Sequence, residues 1–338
     1  MTPLLLAALL AAEPTSPSDE LRIRAVGDVM VGTTVPAGHL APGGAPAVLA
    51  EVAALLGDAD ATFVNLEGPL CDSGTSAKCR KGGNCFAFRS PTTYAETFKA
   101  VGIDFASTAN NHAGDFGDAC RRETEKALDG VGITWSGPVG SVGTRVVKGR
   151  KVALVAFHTS TATNDVNDVE AAKALVASAK KTHDLVLVSF HGGAEGPQAT
   201  HVIDGSERYL GENRGDLKTF AHGVIDAGAD VVFGHGPHVL RAMELYRGHL
   251  IAYSLGNFAT YGRFSLGGPL GVSVLLDVTL GADGRFVDGR LISTLQRDKG
   301  LPALDVAGRG AAMVRTLSNA DFPHTGVLVD TDGRLRAR

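Results

Sequence analysis

The chain reads as an α/β protein. Short apolar runs alternate with segments of helical periodicity from residue 21 to about residue 260. Glycine is abundant, at 43 residues, which suits many tight strand-to-helix turns. With 338 residues and 44% hydrophobic content, the chain can bury a large core.

The elements follow in order. Leu21 to Val26 alternates as a strand, ended by Gly27-Asp28. Ala45 to Leu56 has helical apolar spacing and stops at Gly57, and Ala61 to Val64 is the second strand. Gly68 to Ser90 is rich in Gly and Cys and reads as a long loop. Tyr94 to Val101 is helical, with Gly102 as its stop, and Ile103 to Ser107 is a short strand. Asp118 to Asp129 is a helix, followed by a strand from Gly132 to Trp135. Arg145 to Lys148 and Lys151 to Phe157 form a hairpin around Gly149-Arg150. Helices over Asp168 to Lys181 and Leu217 to Ala227 flank two buried strands, Leu185 to Phe190 and Asp230 to Phe233. Leu250 to Tyr253 and Gly271 to Leu280 are the next strands, and Ser254 to Phe258 reads as a turn between them. The remainder reads as strands and loops that pack on the same sheets, so residues 20–338 are expected to form a single domain.

Net charge is −4, with no basic run and no basic-aromatic interleaving, so nucleic acid is not an expected partner. Met1 to Ala12 is an apolar run of signal-peptide type, with a polar spacer behind it, and residues 1–19 are expected to be an export signal. That run is too short to span a bilayer, and no other apolar stretch is long enough. A periplasmic or extracellular location follows as the expectation. Of the four cysteines, Cys71, Cys79 and Cys85 lie in the Gly-rich loop and Cys120 further on. No CxxC pair occurs, which argues against a zinc ribbon. In an oxidising compartment two disulfides are expected, one reaching Cys120; in the cytosol the cysteines would be free thiols.

Candidate metal ligands fall just after the apolar runs. Asp28 follows Ala25-Val26, Glu67 follows Phe63-Val64, and Asn111-His112 follow the strand ending at Ser107. His191 follows Leu185 to Phe190, and His235 and His238 follow Val231 to Phe233. Ligands of α/β sheets gather beyond the carboxyl ends of strands. Mixed imidazole, carboxylate and amide donors suit borderline divalent ions: manganese, zinc or iron(II), one or two of them. A carboxylate can bridge two ions held roughly 3.5–4 Å apart, which together bind phosphate oxygens and activate a water. An uncoordinated histidine beside them, His112, is then the proton donor to the leaving group. Glu195 is a candidate to orient His191 or to touch substrate. Asn65, Asn257, Arg214 and Arg241 are candidate substrate contacts, the two arginines as grips for an anion. The rest of the polar stretch from Gly196 to Asp216 reads as a solvated loop, with a lid or substrate-selecting loop as the alternative.

Gly27-Asp28-Val29-Met30, Asn65-Leu66-Glu67, Ala109-Asn110-Asn111-His112, His191-Gly192-Gly193-Ala194-Glu195, Gly234-His235-Gly236-Pro237-His238 and Tyr253 to Phe258 occur in that order. This set resembles the CapA family, capsule-synthesis proteins linked to poly-γ-glutamate, within the calcineurin-like metallophosphoesterase superfamily. The resemblance covers roughly residues 21 to 280. It implies a four-layer αββα fold, two packed mixed sheets flanked by helices. It also implies that Asp28, Glu67 and His238 hold one ion and Asn111, His191 and His235 the other, with Glu67 bridging and His112 as general acid. The chain departs from the superfamily in three places. Met30 stands where a histidine is usual, Glu67 where an aspartate is usual, and Gly236 where many relatives carry histidine.

Three functions are therefore expected to compete. The first is a metal-dependent hydrolase of phosphate esters or related esters and amides, acting on a small or polymeric anionic substrate in the cell envelope. The second is a capsule or poly-γ-glutamate biosynthesis or export factor working in an envelope complex. The third is a polymer-binding module without catalysis.

Overall fold

The computed structural model describes residues 20–76, 78 and 86–338. The expected export signal, Cys79 and Cys85 lie outside them. Two large sheets dominate. In the ten-stranded sheet the order is Leu328–Val329, Arg334–Arg336, Phe286–Arg297, Val272–Leu280, Leu21–Met30, Ala61–Leu66, Phe105–Ser107 and Thr134–Ser136. Asn257–Thr260 adds to Leu21–Met30, and Leu301–Leu304 to Phe286–Arg297. The seven-stranded sheet runs Met243–Tyr246, His249–Ala252, Val231–His235, Leu185–His191, Arg150–His158 and Gly143–Val147, with Asn164–Asp165 beside Arg150–His158.

Side-chain alternation with period two explains the layers. Ile23, Ala25, Phe63 and Phe105 of the larger sheet face Leu154, Leu187, Val231 and Phe233 of the smaller one in one buried cluster. Phe63 stacks on Phe233 with ring centroids 5.1 Å apart. Val26, Val64, Leu66 and Ala106 point the other way, beneath the helices Gly44–Leu49, Tyr94–Ala100 and Gly117–Gly130. Val186, Val188, Phe190 and Val232 pack under the helices Val169–Lys180 and Leu217–Asp226. The result is the four-layer helix, sheet, sheet, helix arrangement. Each fully buried Val, Leu or Phe contributes roughly 1.5–3 kcal/mol, so no single contact holds the sheets together.

The central strands are parallel and buried on both faces, which is why Leu185–His191 is a nearly unbroken apolar run. Both flanking helices start where an aspartate caps them. Asp168 accepts from the Ala171 amide, and Asp216 from the Thr219 amide, each at 3.0 Å.

Several expectations need correcting. Ala45 to Leu56 is two short helices, Gly44–Leu49 and Ala53–Leu56, because a tight turn from Val52 to the Leu49 carbonyl drops Val52 into the core. The expected turn after Tyr253 leads into a strand, Asn257–Thr260, parallel to Leu21–Met30. The C-terminal region contains a helix, Arg309–Asp321, whose Ala311, Val314 and Leu317 are buried at helical spacing. Cys71 bonds to Cys120 and ties the start of the long loop to the helix Gly117–Gly130. Among the described residues no helix is long and apolar enough to cross a membrane.

Candidate metal centre

Strand register assembles the site. Asp28 is the direct partner of Asn65 on one side and of Asn257 on the other. In the second sheet His191 sits between His158 and His235 in register. Each strand therefore delivers its polar residue at the same level, at its carboxyl end, and the two sheets face these ends toward one another. Gly27 permits the approach: a Cβ there would lie 1.9 Å from the Gly256 carbonyl oxygen, and the next amide, Asp28 N, donates to that oxygen at 2.9 Å.

The Asp28 carboxylate is wholly buried and crowded with partners. Asn65 Nδ2 donates to Oδ1 at 2.8 Å, His238 Nδ1 lies 2.9 Å from Oδ2, and His235 Nδ1 lies 3.3 Å from Oδ1, out of line for a hydrogen bond. Burial alone would raise its pKa, but the two imidazoles outweigh burial and hold it well below the carboxylate range. Glu67 has the reverse balance. It is 0% exposed, and burial together with the Asp28 charge pushes its pKa well up. Its Oε1 lies 3.6 Å from His238 Nε2 and 3.8 Å from His191 Nε2.

The decisive observation is a set of buried donors with nothing to bond. Both Glu67 oxygens, Asn111 Oδ1, His191 Nε2 and both His235 ring nitrogens have no hydrogen-bond partner. Leaving one buried polar atom unsatisfied costs about 1–3 kcal/mol. Asp28, Glu67 and His238 each offer a donor atom within 4.8 Å of the other two. Carboxylate, imidazole and amide donors gathered this way fit a divalent cation, and a cation would satisfy them together.

His112 stands beside this group through a chain of rings. Phe88 lies 4.2 Å from His112, Phe264 is stacked on Phe88 at 5.2 Å, and His238 meets Phe264 at 5.3 Å, centroid to centroid. Nδ1 of His112 lies 2.7 Å from Asp115 Oδ2, and Asp115 also takes the Lys78 ammonium at 2.8 Å and the Phe88 amide at 2.8 Å. Burial lowers the His112 pKa, and Asp115 partly restores it. Asp115 escaped sequence reasoning, although its place three residues after a histidine in a loop was a readable signal.

The other expected residues are placed as follows. Asn65 Nδ2 reaches Asp28 and lies 3.2 Å from His191 Nδ1, so Asn65 braces two candidate ligands. Asn257 accepts from His238 Nδ1 at 3.0 Å, also as a brace. Glu195 does not orient His191. It pairs with Arg214 at 2.9 Å and lies 3.9 Å from His238 Nε2. Arg214 is buried, with Nε donating to the Gly193 carbonyl, Nη2 paired by charge with Glu195 at 2.9 Å and Nη1 3.6 Å from Glu212. Arg241 is fully buried and closes a two-pronged pair with Glu207 at 2.7 Å per contact, plus a bond to the Ala199 carbonyl. The stretch from Gly196 to Asp216 is thus pinned by buried charge pairs and is not simply a solvated loop. Met30 is buried, and its Cγ lies 2.9 Å from where a Cβ on Gly68 would stand. Gly236 has φ +112°, and a Cβ there would meet the Gly192 carbonyl at 2.5 Å, so this backbone has no room for a histidine at 236.

A family model described as "Bacterial capsule synthesis protein PGA_cap" matches residues 22–261. The chain is 27% identical over 267 residues to the "PGA biosynthesis protein CapA" of Bacillus subtilis (strain 168), covering 72% of this chain and 64% of that protein. It is 27% identical over 266 residues to the "Capsule biosynthesis protein CapA" of Bacillus anthracis, covering 71% and 60%. The chain thus spans less than two thirds of the length of these two relatives. Among solved structures it is similar to a 5′-nucleotidase precursor from Thermus thermophilus, with a TM-score of 0.44, 13% identity, and coverage of 82% of this chain and 54% of that one. That likeness is too slight to bear on function. The family match extends over most of the chain and includes every proposed ligand, and the chain belongs to the bacterial capsule synthesis protein family PGA_cap.

Proposed function

We propose that this chain is a divalent-metal-dependent hydrolase of an anionic ester or amide, most simply a phosphate ester, working outside the cytoplasm. The cluster of buried, unpartnered donors from Glu67, Asn111, His191 and His235 carries this reading. Asp28, Glu67 and His238 would hold one ion, and Asn111, His191 and His235 a second. Such ions offset negative charge on substrate oxygens and make water a better nucleophile at neutral pH. The Cys71–Cys120 bond supports the extracytoplasmic placement, because disulfides persist in oxidising compartments.

The chain's own residues do the rest. Asp115 accepts from His112 Nδ1, because a carboxylate only accepts, and this fixes the tautomer. Nε2 of His112 is then the nitrogen that hands a proton to the leaving oxygen or nitrogen. Lys78 holds Asp115 in place and also reaches the Asn111 carbonyl at 3.1 Å, linking the proton donor to a metal-ligand residue. Asn110 fastens this loop by donating to the Leu66 carbonyl at 2.9 Å. Phe88 covers one face of His112 and limits water there.

A second reading has specific support in the family match and in the relatives' names, which concern capsule and PGA biosynthesis. In it the same site handles an acidic polymer during its assembly or export within an envelope complex. One experiment separates the two. Purified chain, reloaded with manganese, is assayed on phosphomonoesters, phosphodiesters and a γ-glutamyl polymer. The hydrolase reading expects turnover that His112→Ala and Glu67→Ala abolish. Equal turnover by the variants would mean that the site is misassigned. Bound metal with no phosphoester cleavage would favour the polymer reading.

A further inference from the structure

The half-site built on Asp28, Glu67 and His238 is short of a donor. The strand that supplies Asp28 offers Met30 two residues on, and a thioether is a poor ligand for a hard divalent ion. The Met30 side chain is spent in packing over Gly68. We propose that Glu195 is the missing donor of this half-site, in place of residue 30. The assignment rests on the metal-dependent reading above.

Four observations carry it. His238 is oriented in two directions at once: Nδ1 faces Asp28 and Asn257, and Nε2 faces Glu67 Oε1 at 3.6 Å and Glu195 Oε2 at 3.9 Å. Donor atoms sharing one ion at roughly 2.0–2.3 Å each stand roughly 3–4 Å from one another. The spacings from Nε2 to the two carboxylates fall in that range; Glu195 stands outside the Asp28, Glu67 and His238 group, whose donor atoms lie within 4.8 Å of one another, and approaches it from the His238 side.

Second, Glu195 is divided between its oxygens. Oε1 lies 2.9 Å from Arg214 Nη2 in an ion pair that is out of line for a hydrogen bond, and Oε2 is the oxygen nearer His238. A carboxylate that is clamped by one oxygen and free at the other is arranged as an outer-shell partner arranges a ligand.

Third, the clamp is built in. The Arg214 side chain is 2% exposed, and its Nε donates to the Gly193 carbonyl in the same turn that carries Glu195. The Gly193 amide donates back to the Arg214 carbonyl at 2.7 Å. Burial and the Nε bond hold the arginine in place, and its charge pairs with the Glu195 carboxylate.

Fourth, the loop that carries Glu195 is anchored a second time. Glu207 accepts from the Ala194 amide at 2.8 Å and is itself held by Arg241. Two buried arginines, Arg214 and Arg241, thus fix the loop on either side of Glu195, and neither contacts Asp28 or Glu67 directly. This gives both arginines a purpose that a substrate grip does not.

The test is metal stoichiometry in the metal-stripped full chain, titrated with Mn²⁺ and counted by equilibrium dialysis, with the visible spectrum of the cobalt(II) form as a second readout. Wild type is expected to take two ions. Glu195→Gln is expected to keep one and to bind the second about 100-fold more weakly or worse, at or beyond the limit of what losing an outer-shell partner costs. The cobalt spectrum should lose the bands of one ion only. The double variant Met30→His with Glu195→Gln should regain the second ion, because imidazole at position 30 restores a donor on the Asp28 strand. That rescue separates a lost ligand from a distorted loop. A Glu195→Gln variant that binds both ions as tightly as wild type overturns the assignment, as does a wild type that takes only one ion. Failure of the rescue in a folded double variant overturns it too, and leaves Glu195 as an Arg214 partner only. A wild type that takes up no ion sinks the metal-dependent reading itself, and this assignment with it.

Discussion

His112 and Asp115 face each other within one short loop, with imidazole Nδ1 2.7 Å from the carboxylate. Asp115 is completely buried in its side chain and is also held by Lys78 and the Phe88 amide. A side chain secured by three donors is a rigid support. Asp115→Asn should lower kcat roughly tenfold with little change in KM, because the ring loses its fixed tautomer. His112→Ala should cost roughly 10²–10⁴-fold, the usual contribution of a positioned acid or base. Steady-state kinetics on whichever ester turns over in the substrate panel would check both. An Asp115→Asn variant with unchanged kcat would remove the pair from the mechanism.

Glu67 gives a stability test that needs no substrate. Its carboxylate is buried without a partner, and burial and the Asp28 charge oppose its ionisation. Glu67→Gln removes both the cost of burying this carboxylate and its attraction for the His238 imidazolium, so the metal-free variant should still fold. It should also forfeit the stabilisation by manganese, about 2.7 kcal/mol at a hundredfold excess over Kd for one site. Thermal melts with and without metal would show this. A variant that gains as much from manganese as wild type would exclude Glu67 as a ligand.

The metal-free site has a defined pH response. Burial lowers the His238 pKa, but Glu67 and the hydrogen bond to Asp28 win and raise it from 6.5 to about 10. A raised folded-state pKa gives stability that is fully present below 6.5 and is lost as pH climbs to about 10. Asp28 is depressed, so its contribution is lost in acid, below the ordinary carboxylate range. The metal-free protein should thus become steadily less stable between pH 6.5 and about 10. Ion uptake at neutral pH should release protons and tighten as pH rises. Urea melts across this range and calorimetry in buffers of different ionisation enthalpy would measure both. Flat stability through that window would contradict the assigned charge state.

Cys71 and Cys120 are 49 residues apart in sequence, and their bond closes the segment that carries Lys78 and Phe88. Replacing both cysteines by serine should cost roughly 2–4 kcal/mol of stability. It should also lower kcat, since Lys78 and Phe88 support the His112 pair. Denaturation curves and kinetics on the same variant would separate the two effects. Unchanged kcat would show that the loop holds its place without the bond.

Arg241 tests a correction. Its side chain is 1% exposed and bound to Glu207, so Arg241→Ala strands a buried carboxylate. The expected loss is about 3–5 kcal/mol of stability, with weaker retention of the ion beside Glu195. A raised KM with unaltered stability and unaltered metal binding would instead restore the substrate-grip reading.

Much of this protein was legible without coordinates. Asp28, Glu67, Asn111, His191, His235 and His238 could be picked out because each follows an apolar run, and parallel strands present their carboxyl ends together. The Arg309–Asp321 helix was missed although Ala311, Val314 and Leu317 carry the period, because it lies among strands and its exposed face is polar. Asn257 was read as part of a turn because a four-residue strand leaves almost no periodic signal.

The sequence by itself determined the fold class and the placement of the candidate ligands near strand ends, because these depend on local hydrophobic period and residue chemistry. Only the tertiary structure decided which atoms share the pocket. It turned Arg214 and Arg241 inward onto Glu195 and Glu207 and placed Glu195 beside the half-site where Met30 offers no good donor. Those outcomes depend on strand register, on loops crossing between the sheets and on buried charges finding partners. Arg241 and Glu207 are 34 positions apart, and His238 and Asp28 are 210 apart, and no local pattern along the chain encodes such pairings.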